Sequence, residues 1–374
     1  MLTWNVLCDG LSGAHPERGG FVYAPEGSLD WEKRRWKILE EILRWDCDVL
    51  VLQEVDHHHD FLSPMLAKEG YRSLFVKKPL APGMAFNPHL EDGCSLFYRA
   101  TAATAAGDDA ADSDSDGDGV TGKRGADNTT KLDLLDAHSF SLAVVEREDD
   151  TAGDDGGGDG GGGGGGSEGG GTDKTGGPPA EPVVGNQVAL ISLLGLSSPG
   201  VGGGEGRGEA EEALVIVTTT HLKAKKDGHG ELIRSRQAKQ LLDEVARFRA
   251  GQEQARGLPA GSIPVVIAGD FNATPHASGG YEPLCYGEVT AHPLALRSAL
   301  PLGDDFFTTW KVRGAEGGGV KESRHCIDYV WLSGGVSPVG GSTLPSAEGL
   351  GPERAPSFAY PSDHFAMAVD LRLP

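Results

Sequence analysis

Asp270 and Asn272, in the stretch Ile267-Ala-Gly-Asp-Phe-Asn-Ala-Thr-Pro275, set a carboxylate and an amide directly after the apolar run Ile263-Pro-Val-Val-Ile267. A short run rich in β-branched residues reads as a core strand covered on both faces. Side chains at i and i+2 share one face of a strand, so Asp270 and Asn272 are expected to point together off its end. In open α/β sheets ligand sites are built at such ends. Alone, Gly-Asp-Phe-Asn would be no more than a polar exit from a strand. Similar endings elsewhere change that reading. Asp48-Val-Leu-Val-Leu-Gln-Glu-Val55 delivers Gln53 and Glu54 after an apolar stretch, and a carboxylate there is costly to bury unless a cation or a donor meets it. Thr3-Trp-Asn-Val-Leu7 sets Asn5 inside an apolar run, and Leu214-Val-Ile-Val-Thr-Thr-Thr-His221 ends another strand in a titratable group.

Ile327-Asp-Tyr-Val-Trp331 alternates like a strand around Asp328, and Ser362-Asp-His364 precedes the apolar Phe365-Ala-Met-Ala-Val369. Asp328 and His364 are expected to pair across neighbouring strands, the carboxylate fixing the imidazole tautomer and favouring its protonated form. Adjacent strand residues point apart, so Ser-Asp-His is not a hydrolase triad. The chain also lacks the Gly-x-Ser-x-Gly elbow of a serine nucleophile.

Taken in chain order, Trp4-Asn5, Leu52-Gln-Glu-Val-Asp56, Asp92-Gly-Cys94, His221-Leu-Lys-Ala224, Gly269-Asp-Phe-Asn272, Thr308-Thr-Trp-Lys311, Arg324-His325, Ile327-Asp-Tyr329 and Tyr360-Pro-Ser-Asp-His364 form a recognisable series. They resemble the motifs of the endonuclease/exonuclease/phosphatase superfamily of metal-dependent phosphoesterases. Within it the chain is similar to the nocturnin and carbon-catabolite-repressor-type deadenylase branches. The resemblance covers nearly all of the chain outside three inserts. It implies one α/β domain over residues 1–374, a four-layer sandwich of two mixed β-sheets flanked by helices. It also implies roles. Glu54 would be the principal ligand of Mg²⁺ (or Mn²⁺), with Asn5 beside it and Asp363 at a second metal or holding its loop. Asp270 would position or deprotonate water, and Asn272 would hold a phosphoryl oxygen. His221, and His364 oriented by Asp328, would stabilise the phosphoryl group as charge develops. Hard Mg²⁺ prefers carboxylate, amide and water oxygens, and it neutralises charge in an in-line attack.

The elements that position these groups can be read around them. Asp30 is placed to cap a helix over Trp31–Trp45, with Ile38, Leu39, Ile42 and Leu43 as its apolar stripe. Residues 231–248 repeat the pattern with Leu241, Leu242, Val245 and Phe248. Strand–helix–strand order through Glu54, and again through Asp270, predicts α/β layers. Trp31, Trp36, Trp45, Trp310 and Trp331 are expected to pack in the core rather than stack on bases.

The chain has 374 residues, 57 of them Gly. Much of that Gly sits in low-complexity inserts at about 101–128, 146–182 and 199–213. Over residues 107–127, 146–182 and 200–213 the charges are −5, −8 and −3, so the inserts hold 16 of the net 22 negative charges. The remainder is ordinary for a soluble enzyme. Such segments bury too little apolar surface to offset ordering entropy and are expected as disordered surface loops between strands. Asp112-Ser-Asp-Ser-Asp-Gly117 opens like a calcium loop, but Lys123 stands where a bidentate Glu belongs. Cys8, Cys47, Cys94, Cys285 and Cys326 are odd in number with no paired spacing, as reduced thiols would be. No apolar run of ~18 residues predicts a membrane span, and no signal or transit peptide is evident. A cytoplasmic monomer is expected, with mitochondrial targeting left open because the first motif lies so close to Met1.

Lys77, Lys78, Lys223, Lys225 and Arg324 are the candidate substrate cations. Lys223 and Lys225 follow His221 at i+2 spacing and are expected to project beside a phosphate. Leu-Lys-Ala-Lys after His221 is similar to the nocturnin branch, except that Lys225 replaces an Arg and loses bidentate phosphate geometry. That resemblance implies removal of the 2′-phosphate of NADP(H). The alternative is a 3′–5′ exoribonuclease acting on single-stranded poly(A) RNA, which needs a basic track and stacking groups for several nucleotides. A non-catalytic scaffold with acidic binding loops is the third reading. The joint presence of Glu54, Asp270, Asn272, Asp328 and His364 argues against it.

Overall fold

The computed structural model describes residues 1–12, 20–81, 91–100, 131–144, 183–197, 213–303, 305–315, 319–342 and 344–374. The three inserts, apart from Ala213, and the calcium-like stretch lie outside the described residues.

One six-stranded sheet runs β13-β14-β1-β2-β4-β3, built from β1 (Leu2–Asn5), β2 (Val49–Val55), β3 (Tyr71–Lys77), β4 (Gly93–Arg99), β13 (Ser337–Gly341) and β14 (Met367–Arg372). The second runs β5-β6-β7-β8-β12-β9, from β5 (Lys131–Val144), β6 (Val183–Ser197), β7 (Ala213–His221), β8 (Val265–Asp270), β9 (Arg297–Ser298) and β12 (Asp328–Leu332). A separate hairpin pairs β10 (Thr309–Gly314) with β11 (Val320–His325). Both sheets are mixed: β1 is parallel to β2 and β7 to β8, while the other pairs are antiparallel. The helices are α1 (Asp9–Ser12), α2 (Trp31–Trp45), α3 (Ser63–Ala67), α4 (Gly228–Arg256), α5 (Leu284–Ala291) and α6 (Ala347–Leu350).

Strand alternation sorts the apolar side chains into layers. Leu50 and Leu52 of β2 join Leu2 and Trp4 of β1 against Ile38, Leu39 and Ile42 of α2. On the opposite face Val49 and Val51 meet Val217, Val266, Ala268, Val330 and Leu332, which fills the space between the sheets. Val265, Ile267, Tyr329 and Trp331 turn outward onto Ala238, Leu241, Leu242 and Val245 of α4. The result is helix, sheet, sheet, helix, the four-layer sandwich expected. Each buried aliphatic side chain contributes roughly 1.5–3 kcal/mol, so both strand faces must be apolar, as they are.

Some local readings need correction. The Asp30 side chain makes no cap bond. It pairs with Lys33 at 3.1 Å, while the Asp30 carbonyl accepts from the amides of Lys33 and Arg34. Leu43 and Trp36 are 36% and 49% exposed, because the buried stripe of α2 is narrower than its apolar pattern. The α4 helix begins before residue 231, where the Asp227 side chain accepts from the Gly230 amide at 2.6 Å. All five cysteines are free, and among the described residues no helix is long and apolar enough to cross a membrane.

Candidate active site

The layer between the sheets turns polar toward one end. Continuing the alternation, Val51 gives way to Gln53, Val217 to Thr219 and His221, Ala268 to Asp270, and Thr3 to Asn5. Gln53 donates to the Thr219 hydroxyl at 3.1 Å and closes the apolar layer. Register then aligns Asn5 with Gln53, His221 with Asp270, and Asp270 with Asp328. Gly269 makes this alignment possible. Its φ is +153°, and a Cβ there would lie 2.2 Å from the Thr220 carbonyl oxygen.

Alternation would send Glu54 to the helix side with Leu50 and Leu52. A bulge between Gln53 and Val55 re-aims it, with Glu54 at φ +55°. Leu7 and Asn272 are also left-handed, at +59° and +52°. Non-glycine residues held this way cost on the order of 1–3 kcal/mol each and cluster at functional sites. Asn272 therefore does not reach the site by i, i+2 alternation. The strand stops at Asp270, whose Oδ1 accepts from the Asn272 amide at 2.8 Å. The Asn272 side chain donates to the Leu222 carbonyl at 3.1 Å.

Asn5 Nδ2 donates to Glu54 Oε1 at 3.0 Å and to Asp270 Oδ2 at 3.1 Å, while its Oδ1 accepts from the Leu7 amide at 3.0 Å. Asn5 thus ties the two carboxylates together, and its Oδ1 keeps a second lone pair beside the bond from Leu7. His221 Nε2 lies 3.5 Å from Asp270 Oδ2 and 3.9 Å from Glu54 Oε1. His364 Nε2 lies 3.8 Å from the same Asp270 oxygen, and its Nδ1 is 2.9 Å from Asp328 Oδ2. The Thr308 hydroxyl donates to Asp328 Oδ2 at 2.5 Å. The Asp328–His364 pair forms as expected, but across the two sheets and not between neighbouring strands. His364 sits before β14 and bridges Thr309, whereas Asp328 opens β12. Ser362 is no nucleophile: its hydroxyl donates to the Asn5 carbonyl at 2.6 Å.

Burial pushes the Glu54 carboxyl up, but His221, Lys78 and the Asn5 amide hold it down at about 2. Burial also lowers both imidazoles. For His364 the Asp328, Asp270 and Asp363 carboxylates outweigh it and lift the pKa to about 9. For His221 burial wins, aided by Lys78, and the pKa falls to about 4. At neutral pH Asp270 thus faces one imidazolium and one neutral imidazole.

Glu54 and Asp270 face one another across a single amide and open onto a cleft, a hard-oxygen donor set suited to a divalent cation. Asp270, Asp328 and His364 also offer ligand atoms within 4.8 Å of one another. Both Asp328 oxygens contact His364 Nδ1, however, so that pair orients the imidazole. Asp363 meets the second of its two expected roles, holding its loop. Its carboxylate is taken by Lys311, with Arg313 at 3.6 Å, and it ties the loop before β14 to the hairpin.

The cleft, of about 950 Å³, has these groups at its floor and the β10–β11 hairpin as one wall. Arg324 lines it as expected, joined by Lys311, Arg313 and Lys321 of the same hairpin. The four other candidate cations stand elsewhere. Lys78 is buried behind Glu54, 2.5 Å from Asp92. Lys223 and Lys225 do not line the cleft, and Lys225 pairs with Asp227 at 2.7 Å. The strand ends at His221, so i+2 spacing does not carry into the loop. Ala224 and Lys226 face the cleft instead. Lys77, also outside it, pairs with Glu91 at 2.9 Å. Lys226, Lys311 and Lys321 were not singled out as substrate cations from sequence. Only Lys311 carried a signal, inside Thr308-Thr-Trp-Lys311.

A four-layer sandwich with this centre at one end of its sheets defines a class, and the chain matches the Endonuclease/Exonuclease/phosphatase family over residues 2–364. It belongs to that family of hydrolases. Among its relatives, Nocturnin of Xenopus laevis is 27% identical over 379 residues, covering 99% of this chain and 71% of that protein. The chain spans 65% of Nocturnin from Rattus norvegicus, at 27% identity, and 46% of that from Drosophila melanogaster, at 28%. The CCR4-Not complex 3′-5′-exoribonuclease subunit Ccr4 of Yarrowia lipolytica is 25% identical over 99% of this chain and 47% of its own length. In fold the chain is similar to the human Nocturnin catalytic domain with bound sulfate anion, with a TM-score of 0.60 at 23% identity over 100% of this chain and 92% of that one. ANGEL2, a 2′,3′-cyclic phosphatase in complex with adenosine-2′,3′-vanadate, gives a TM-score of 0.60 at 18% identity, covering 100% of this chain and 94% of that one.

Proposed function

We propose that the protein is a Mg²⁺-dependent phosphatase that removes the 2′-phosphate of NADP(H). The observation that carries this reading is the cleft: one compact chamber, basic on its hairpin wall, above a floor of two carboxylates and two imidazoles. Among the described residues Tyr281 is its only Phe, Trp or Tyr, so the lining supports one dinucleotide better than a stacked run of bases. The likeness to Nocturnin along 99% of this chain supports the same branch.

Glu54 would hold the metal opposite Asp270, and the bound ion supplies charge neutralisation at the phosphoryl oxygens. Asp270 Oδ2, fixed by Asn5 beside the neutral His221, positions the attacking water and takes its proton. The His364 imidazolium, fixed by Asp328, donates to the phosphoryl group as charge builds. Asn272 keeps a second amide hydrogen beyond its bond to Leu222, available for a phosphoryl oxygen. A second reading, 3′–5′ shortening of poly(A), is supported by the Ccr4 relative.

Phosphate release from NADP⁺ after EDTA treatment, followed by titration with Mg²⁺, tests the first reading. Activity should vanish on chelation and return with Mg²⁺. Turnover indifferent to chelation would remove the metal from the account.

A further inference from the structure

The loop from β7 to α4, residues 222–227, is gripped along its backbone. The Leu222 amide donates to the Asp270 carbonyl at 2.9 Å, and the Lys223 amide to Gln237 Oε1 at 3.0 Å. Arg234 Nη1 donates to the Lys223 carbonyl at 2.9 Å and also to the Lys225 carbonyl. Arg234 is fully buried and paired with the equally buried Glu231, 2.7 Å away, whose other oxygen accepts from the Cys285 amide at 2.9 Å. Gly230 lets the loop lie down, since a Cβ there would stand 2.2 Å from the Lys225 carbonyl oxygen. A buried ion pair is a poor stabiliser compared with apolar packing, and its best-attested use is to fix one conformation. Here the conformation fixed is that of this loop.

The grip decides which lysine enters the cleft. Lys225 turns aside to Asp227. Lys226 brings its ammonium to the Asn272 carbonyl at 3.1 Å and to Asn272 Oδ1 at 3.2 Å. Lys226, Lys311 and Lys321 all line the cleft around His325, whose pKa falls to about 4 through burial and then through these three charges. Asp363 already meets Lys311, yet three ammonium groups lining one pocket still leave it suited to an anion. Resting on the phosphatase reading, we propose that Lys226, presented by the Arg234–Glu231 clamp, binds a phosphoryl group of the substrate that does not react. Lys311 and Lys321 complete this subsite, and the fitting ligand is a pyrophosphate linkage. Arg234 and Glu231 are then positioning residues for substrate recognition.

Two measurements test this. Inorganic pyrophosphate, titrated calorimetrically in metal-free buffer, should bind wild type and bind Lys226→Ala ~10- to 100-fold more weakly, as for a charge-assisted hydrogen bond. In turnover, Lys226→Ala should raise KM for NADP⁺ by a similar factor while leaving kcat within about threefold. KM for adenosine 2′-monophosphate, which lacks the remote phosphates, should rise far less than KM for NADP⁺, and an equal rise for both substrates would overturn the remote-phosphate assignment. Gly230→Ala, or the paired Glu231→Gln/Arg234→Met change that leaves no orphaned charge, should raise KM for NADP⁺ in the wild-type background only. The same rise in a Lys226→Ala background would show a merely structural clamp and overturn its positioning role. Undiminished pyrophosphate binding by Lys226→Ala would overturn the subsite. A wild type that binds pyrophosphate through Lys226 but releases no phosphate from NADP⁺ would overturn the phosphatase reading and leave the subsite standing.

Discussion

Asp328→Asn keeps the side-chain shape, and can keep the Thr308 hydroxyl bond, while removing the charge that holds the His364 imidazolium. In the folded protein burial disfavours that charge, but Asp328 leads the carboxylates that lift the pKa from 6.5 to about 9. A folded pKa above the unfolded one means that the stabilisation is fully present below pH ~6.5 and is lost as pH rises through the folded value. At ~1.4 kcal/mol per pKa unit, a rise of this size is worth on the order of 3 kcal/mol. Urea unfolding at intervals from pH 6 to 10 measures it. Wild type should lose about 2–3 kcal/mol more than the variant over that window, because other titrating groups are common to both and cancel in the difference. Turnover at neutral pH should fall ~10²- to 10⁴-fold with the misplaced, uncharged imidazole. Identical pH dependence in the two proteins would refute the pairing argument.

Glu54→Ala should abolish turnover at every Mg²⁺ concentration while circular dichroism stays near wild type; Tm should fall modestly at neutral pH, because the partners that hold its pKa at about 2 stabilise the charged side chain in the fold, and retained activity would contradict its role. His221 is held at about 4 by burial and by Lys78. Its folded pKa lies below the unfolded value, so stability present above pH ~6.5 is lost as pH falls toward the folded pKa. His221→Asn should flatten urea stability between pH 6.5 and 4, and an unaltered acid limb would count against this. Gly269→Ala would place a Cβ 2.2 Å from the Thr220 carbonyl oxygen at φ +153°. It should cost roughly 2–4 kcal/mol in urea unfolding and reduce turnover by parting His221 from Asp270; an unmoved midpoint would show that β7 and β8 have slack.

Much of the floor of the site was legible because strand alternation is a strict period. Thr219 and His221, Ala268 and Asp270, Val51 and Gln53 follow one another on the face between the sheets. Glu54 breaks that rhythm, and only the bulge at Gln53/Val55 returns it to the site. The positions of Asp328 and His364 at element ends could be read, but not that they meet across two sheets, since sheet order is a tertiary outcome. The cationic wall was the hardest part. Lys223 and Lys225 looked right under strand spacing, yet the chain leaves the strand at His221. Arg234, nine residues beyond Lys225 and eleven beyond Lys223, grips the carbonyls that decide the path of the loop. Lys311, Lys321 and Arg324 converge because a hairpin folds over the cleft, a contact between segments that no local pattern announces.

The most direct test sets two substrates side by side. Purified protein with Mg²⁺ is given NADP⁺ and, separately, a 5′-labelled oligo(A), each across a salt series. The account predicts saturable phosphate release from NADP⁺ with shallow salt dependence, and an oligo(A) that keeps its length. Shortening of oligo(A) with a steep salt slope, as expected when several phosphates are bound, together with untouched NADP⁺, would contradict it.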